Sequence, residues 1–272
     1  MFSIHFSNRS EAVIFYNAIV SEQELWIFKE YPSHYEVKLM NDSLSGTAYV
    51  ESVRAFLQVI RKRKMLGWME GILKHRFYYD DSQEIQRILE IGREFEDKPP
   101  NGLHLPPIHY YLRAFIQDYL STRWFVEFDE FSAACLQSIH ECLIKYTGKI
   151  IDEYKQEESY QLLLDSWRHR VHHKDTGVQL LHLLDEDGLI YYHDEGNPIS
   201  ESETKLYMKQ YPDECIADLP IEWSVTPALA HAPDELIIYS DETDHSNLEL
   251  LMSIFEEKAS WRPKSQFPFK MG

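Results

Sequence analysis

The hydrophobic period of this chain changes twice along its length, and those changes bound the fold. Phe2-Ser3-Ile4-His5-Phe6 alternates apolar and polar residues, as a strand with one buried face does. Residues 26–29 and 35–39 alternate in the same way, and Tyr31-Pro32-Ser33-His34 between them suits a hairpin loop. Between the first strand and this pair, Asn8 or Ser10 can cap a helix over residues 11–22. From Ser43 the period lengthens. Val53, Phe56, Leu57 and Ile60 recur at the spacing of one helix face. Further helical stretches are expected over residues 65–74 and 82–95. After Gly177 the alternation returns.

Four prolines and one glycine fall in residues 99–107, a stretch that cannot continue a helix. It is expected to be a linker between an N-terminal α+β region, 1–98, and the rest. Residues 108–174 read as almost wholly helical, with a break near residues 124–129 and an interruption at Gly148. Residues 175–272 read as an acidic α/β region, and 108–272 is expected to form one unit. Within it, strands 178–184 and 189–193 flank Asp187-Gly188, a hairpin signal. Ser200 starts a helix with Glu203 at capping-box spacing. A further helix follows Asp218, with Pro227 expected to kink or end it. Strand 235–239, helix 246–257 and strand 259–261 suggest a parallel crossover. The fold class expected is α+β.

Charge is uneven. The formal net charge is −18, with 27 Lys+Arg against 45 Asp+Glu. Residues 175–272 hold 6 of those cations and 20 of the acids, a net of −14, and the remainder carries −4. The acidic part repels nucleic acid and anionic lipid. No run reaches 18 apolar residues, so no membrane span is expected, and the first residues lack the pattern of a signal peptide. Cys135 and Cys142 lie on one helical pattern about 10 Å apart, beyond disulfide reach. With Cys215 the count is odd, which points to a reducing compartment.

Nucleophile elbows, P-loops and dinucleotide fingerprints are absent, and ten glycines in 272 residues leave little for phosphate-cradling loops. No catalytic, metal or cofactor residue is assigned. Two basic clusters stand out. Arg61-Lys62-Arg63-Lys64 follows an apolar helix face, but four consecutive residues spread around a helix. Trp167 to Asp175 includes Arg168, His169, Arg170, His172, His173 and Lys174. His169 and His173 have the i, i+4 spacing of a metal pair, yet Arg170 stands where a general base would, and cations disfavour a divalent ion. The first reading is a basic helix end meeting the macrodipole. Together Arg61, Lys62, Arg63, Lys64, Arg168, Arg170 and Lys174 form a candidate interaction surface.

Residues 108–262 resemble the YtxC-like family, associated with sporulation in endospore-forming Bacillota. The resemblance rests on Trp124-Phe125-Val126-Glu127-Phe128-Asp129-Glu130-Phe131, where the family has an aromatic stretch introducing a long helix. Asp129 stands where arginine is usual. It continues through residues 160–167, strand 178–184, the hairpin to Tyr191, the helix from Ser202, Asp218-Leu219, Ala232-Pro233-Asp234-Glu235-Leu236-Ile237-Ile238-Tyr239 and Ile254-Phe255. The resemblance implies a sporulation setting and leaves the activity open. With no catalytic motif and a strongly acidic C-terminal part, the expected function is a cytoplasmic, non-enzymatic protein that binds another macromolecule, first of all a protein. Nucleic-acid binding through residues 61–64 and 168–174 is the alternative, and a hydrolase with a site assembled from distant residues is a third.

Overall fold

Asn8 opens the first helix: its side chain accepts the Ser10 N–H at 2.8 Å, supplying one of the partners that helix starts lack. In a computed structural model, residues 2–19, 25–40, 46–97, 108–242 and 245–269 are described. The chain is α+β, in two compact units, Met1–Gln156 and Glu157–Gly272. The expected proline linker, 99–107, lies outside the described residues.

In the first unit β1 (Ser3–Phe6), β2 (Trp26–Glu30), β3 (Tyr35–Leu39) and β4 (Phe125–Glu127) form a sheet in the order β2-β3-β1-β4. The first three pair antiparallel, and β4 runs parallel to β1 with Ile4 opposite Val126. The helices are α1 (Arg9–Ala18), α2 (Gly46–Val59), α3 (Met65–Arg76), α4 (Ser82–Asp97), α5 (Ile108–Ser121) and α6 (Phe128–His173), with a π turn, Ile60–Lys64, joining α2 to α3. An aromatic core holds the unit together. Phe6 meets Phe128 at 4.8 Å, Phe15 meets Phe56 at 4.9 Å, and Phe56 meets Phe131 at 4.7 Å between ring centroids. Such pairs add roughly 1 kcal/mol each beyond the area they bury.

This explains a difference from the sequence-based division. Residues 108–156 pack with the N-terminal sheet, because β4 is a strand of that sheet and Phe128 and Phe131 fill its core. The division between units falls inside α6, which runs unbroken for 46 residues. Gly148, expected to interrupt it, stays helical. One glycine costs a helix only about 1 kcal/mol, and apolar burial on either side exceeds that.

In the second unit β5 (Leu180–Asp185), β6 (Leu189–His193), β7 (Glu235–Tyr239) and β8 (Ala259–Arg262) are ordered β6-β5-β7-β8. The hairpin β5–β6 is antiparallel, and β7 is parallel to both β5 and β8. The helix between β7 and β8 is α9 (Ser246–Phe255), so the expected parallel crossover is present. Trp167 and Val171 of α6, α8 (Thr226–His231) and α9 cover one sheet face. Ser200 caps α7 (Glu201–Gln210), accepting the Glu203 N–H at 3.2 Å. The Glu203 carboxylate does not complete a capping box; it bonds His193 Nε2 at 2.6 Å. Pro227 begins a helix and does not end one: residues 213–225 hold turns and irregular backbone, and α8 starts at Thr226. The first turn tolerates proline because its missing N–H would have no helical partner there.

Candidate functional site

Arg54, Leu57, Gln58, Arg61, Lys62, Met65, Leu66 and Met69 recur every three or four residues along α2, the π turn and α3. That spacing puts them on one face. Arg93 of α4 joins them, and together they line a cleft of about 540 Å³. Met65 and Met69 are buried at its floor. Four cationic side chains stand around it, and no carboxylate lines it. Arg54 is partly engaged: its guanidinium donates to the Ala18 carbonyl at 2.9 Å and pairs with Glu51. Lys62 and Arg93 have no ion-pair partner among the described residues. Lys62 and Arg93 therefore add positive charge above an apolar, methionine-rich floor.

The π turn sorts the first basic cluster. Its closing bond runs from the Met65 N–H to the Ile60 carbonyl, five residues back, so the four cations spread around a wide turn. Arg61 and Lys62 line the cleft. Arg63 is exposed and outside it. Lys64 turns inward, 2.9 Å from Glu11 Oε1, 3.7 Å from Asp129 Oδ1 and 5.6 Å above the Phe128 ring centroid. Glu11 is 4% exposed, and its Oε2 has no hydrogen-bond partner. Lys64 thus neutralises a buried carboxylate and is not presented to a partner.

The second basic cluster lies in the second unit. Arg170 corrects the surface reading: it is 1% exposed. Its guanidinium donates to the Leu229 carbonyl at 2.8 Å and the Ala230 carbonyl at 3.0 Å, and lies 3.3 Å from Asp213 Oδ2. The Thr176 hydroxyl donates to the His231 carbonyl. These are the last carbonyls of α8, the groups that lack partners at any helix end. Positive charge does meet a helix C-terminus here, but the helix is α8. Burial pushes the Asp213 carboxyl up, but bonds from Cys215 and the Arg170 charge outweigh it, leaving it below the usual carboxylate range. Arg168 donates to the Ser253 carbonyl at 3.0 Å and pairs with Asp165 at 2.8 Å. The Lys174 side chain is half-buried. Of the three cations in this cluster, Arg168 and Arg170 are engaged, and Lys174, like Lys62, has no ion-pair partner among the described residues.

The His169 and His173 rings stack 4.4 Å apart, His173 Nδ1 lies 3.0 Å from the His169 carbonyl, and Asp175 accepts the Gly177 N–H. No metal-competent set among the described residues includes them. The set that qualifies by composition is His172, Glu256 and Glu257, whose ligand atoms lie within 4.8 Å of one another. Arg168 Nε sits 3.4 Å from Glu256 Oε1 and already offsets that charge. The cleft lining contains no Ser, Cys, His, Asp or Glu, and so no hydroxyl, thiol, imidazole or carboxylate of the kind most catalytic sites use. Cys135 is inert by position, since burial pushes its thiol up to about 12. Sequence reading missed Arg54 and Arg93. The eight-residue stripe was visible in the spacing, but that α4 closes it with Arg93 was not.

The sequence pattern of the YtxC-like family matches residues 51–260, a span that includes the whole cleft. An uncharacterised protein, YtxC of Bacillus subtilis (strain 168), is 23% identical over 222 residues, covering 79% of this chain and 76% of that protein. No solved structure matches the chain.

Proposed function

This chain belongs to the YtxC-like family, and we propose that it acts by binding, as a cytoplasmic, sporulation-associated protein whose basic cleft receives an acidic segment of a protein partner. The observation that carries the reading is the lining: Arg54, Arg61, Lys62 and Arg93 around Met65 and Met69, with no carboxylate among them. An amphipathic helix laid into such a groove places apolar side chains on the floor and carboxylates against the cations. Methionines adapt to varied apolar partners. Nucleic acid fits less well, because single strands are held by stacking on aromatic rings, and no aromatic side chain lines the cleft. The sporulation setting rests on the family resemblance. The cytoplasmic location is supported by three free cysteines; among the described residues no helix is long and apolar enough to cross a membrane.

The test is titration with a fluorescent amphipathic helical peptide bearing glutamates on one edge. Saturable binding that weakens as salt rises is expected. Arg61→Glu/Lys62→Glu should reduce affinity at least tenfold, and Arg63→Glu, outside the cleft, should leave it within about twofold, as rim charges do. Equal loss with Arg63→Glu, or tighter binding of single-stranded DNA than of the peptide, would overturn the reading.

A further inference from the structure

The two faces of the second sheet are covered in different ways. One lies under helices and a cluster of buried apolar side chains. The other, built on Leu184, Ile237 and Tyr239, lies under a short segment, residues 264–269. That segment adds no strand to the sheet. Its backbone bonds are local, from the Gln266 N–H to Pro263 and from the Phe267 N–H to Lys264. One reaches beyond it, from the Lys264 N–H to Asp241 Oδ1 at 3.1 Å.

Its hold on the sheet is made by side chains. The Phe267 ring packs 5.2 Å from Tyr192 and 5.2 Å from Tyr239. The Phe269 ring packs 5.1 Å from His182 and lies against Gly196. A Cβ at Gly196 would come within 2.6 Å of the Phe269 ring, and its backbone has φ +84. Lys264 Nζ lies 3.9 Å from Asp185 Oδ2. Both phenylalanines remain half-exposed. Spaced aromatic anchors seated among buried side chains, with a charged flank, are how a short segment is held by a few dominant residues.

We propose that this sheet face is a docking site for a protein segment of the form Lys-x-x-Phe-x-Phe, and that residues 264–269 occupy it in cis as a displaceable ligand. A tethered segment acts at an effective concentration in the millimolar range, so an outside segment competes poorly until the internal one is lifted. Asp185 selects for the basic flank through the Lys264 ammonium, and Asp241 holds the main chain there. The geometry of Gly196 makes it a seat for the second phenylalanine.

A labelled peptide, Lys-Ser-Gln-Phe-Pro-Phe, tests the proposal against the full chain. Phe267→Ala/Phe269→Ala should bind the peptide saturably and at least tenfold more tightly than the unaltered chain, because its own segment no longer competes. Adding Gly196→Ala to that variant should abolish binding, as should replacing both peptide phenylalanines by alanine. Equal binding to both chains, or binding to neither, overturns the proposal. A doubling of mass by light scattering as the unaltered chain is concentrated would assign the site to a second copy and also overturn it. Should the double variant fail to fold, hydrogen exchange on the unaltered chain decides. Amides 266 and 267 should exchange at least a hundredfold faster than those of β7. Exchange of these amides only with global unfolding would make the segment part of the core and sink the proposal.

Discussion

Arg170 is a cation whose position in sequence and position in space imply opposite roles. In sequence it sits among histidines and another arginine, as a surface basic patch does. In space it satisfies two carbonyls of α8 and a carboxylate, while almost fully buried. Removing one partner of a buried, hydrogen-bonded charge leaves the others unpaired and costs more than the pair contributes. Arg170→Ala is expected to destabilise the second unit by about 3 kcal/mol, on that principle. Arg170→Lys should recover only part, since an ammonium does not present the guanidinium fork. Arg168→Ala, at a half-exposed pair, should cost under about 1 kcal/mol. Urea midpoints of the three variants check the order.

At the scale of elements, the π turn does two jobs with consecutive residues. It sends Arg61 and Lys62 into the cleft and Lys64 to Glu11 of α1 and Asp129 of α6. Lys64 therefore ties three elements of the first unit at one buried charge. Lys64→Met is expected to cost about 3 kcal/mol, as the loss of one member of a buried pair does. Glu11→Gln in the same chain should restore most of that, because it removes the stranded charge. A double-mutant cycle by urea denaturation measures the coupling, and additive effects would contradict it. Elements also show where local sequence was enough. The three N-terminal strands, the hairpin β5–β6 and the crossover through α9 follow from period and turn residues. Strand β4 did not, because three residues are too few to show a period, and its partner β1 is over a hundred residues away.

At the scale of the whole molecule, the two units differ in charge and in response to acid. Residues 157–272 hold 9 Lys+Arg against 23 Asp+Glu, and residues 1–156 hold 18 against 22. Two buried histidines lie in the acidic unit. Burial pulls the His231 pKa down to about 4, and it lowers that of His182 as well. Both nitrogens of His231 lack hydrogen-bond partners, and its ring stacks 4.0 Å from Tyr207. A base with a lowered folded pKa binds its proton more readily when unfolded. The stability it confers is full above its ordinary value of 6.5 and is lost as pH falls from there towards about 4. His231 alone should account for about 3 kcal/mol over that window. Hydrogen exchange corrected for intrinsic rates should show β5 and β7 losing protection at pH 5 relative to pH 7. His231→Phe, which keeps the ring against Tyr207, should flatten that loss.

The sequence by itself determined the α+β class, the order of most elements, the uneven charge and the family, because each depends on local period, turn chemistry or composition. Tertiary structure decided which cations face solvent, which unit residues 108–156 join, and how the cleft closes. Those outcomes depend on contacts between residues far apart in the chain. Arg61 and Lys64 are three residues apart and equally basic, and what separates their roles is a buried glutamate on α1 and a methionine floor beneath α2 and α3.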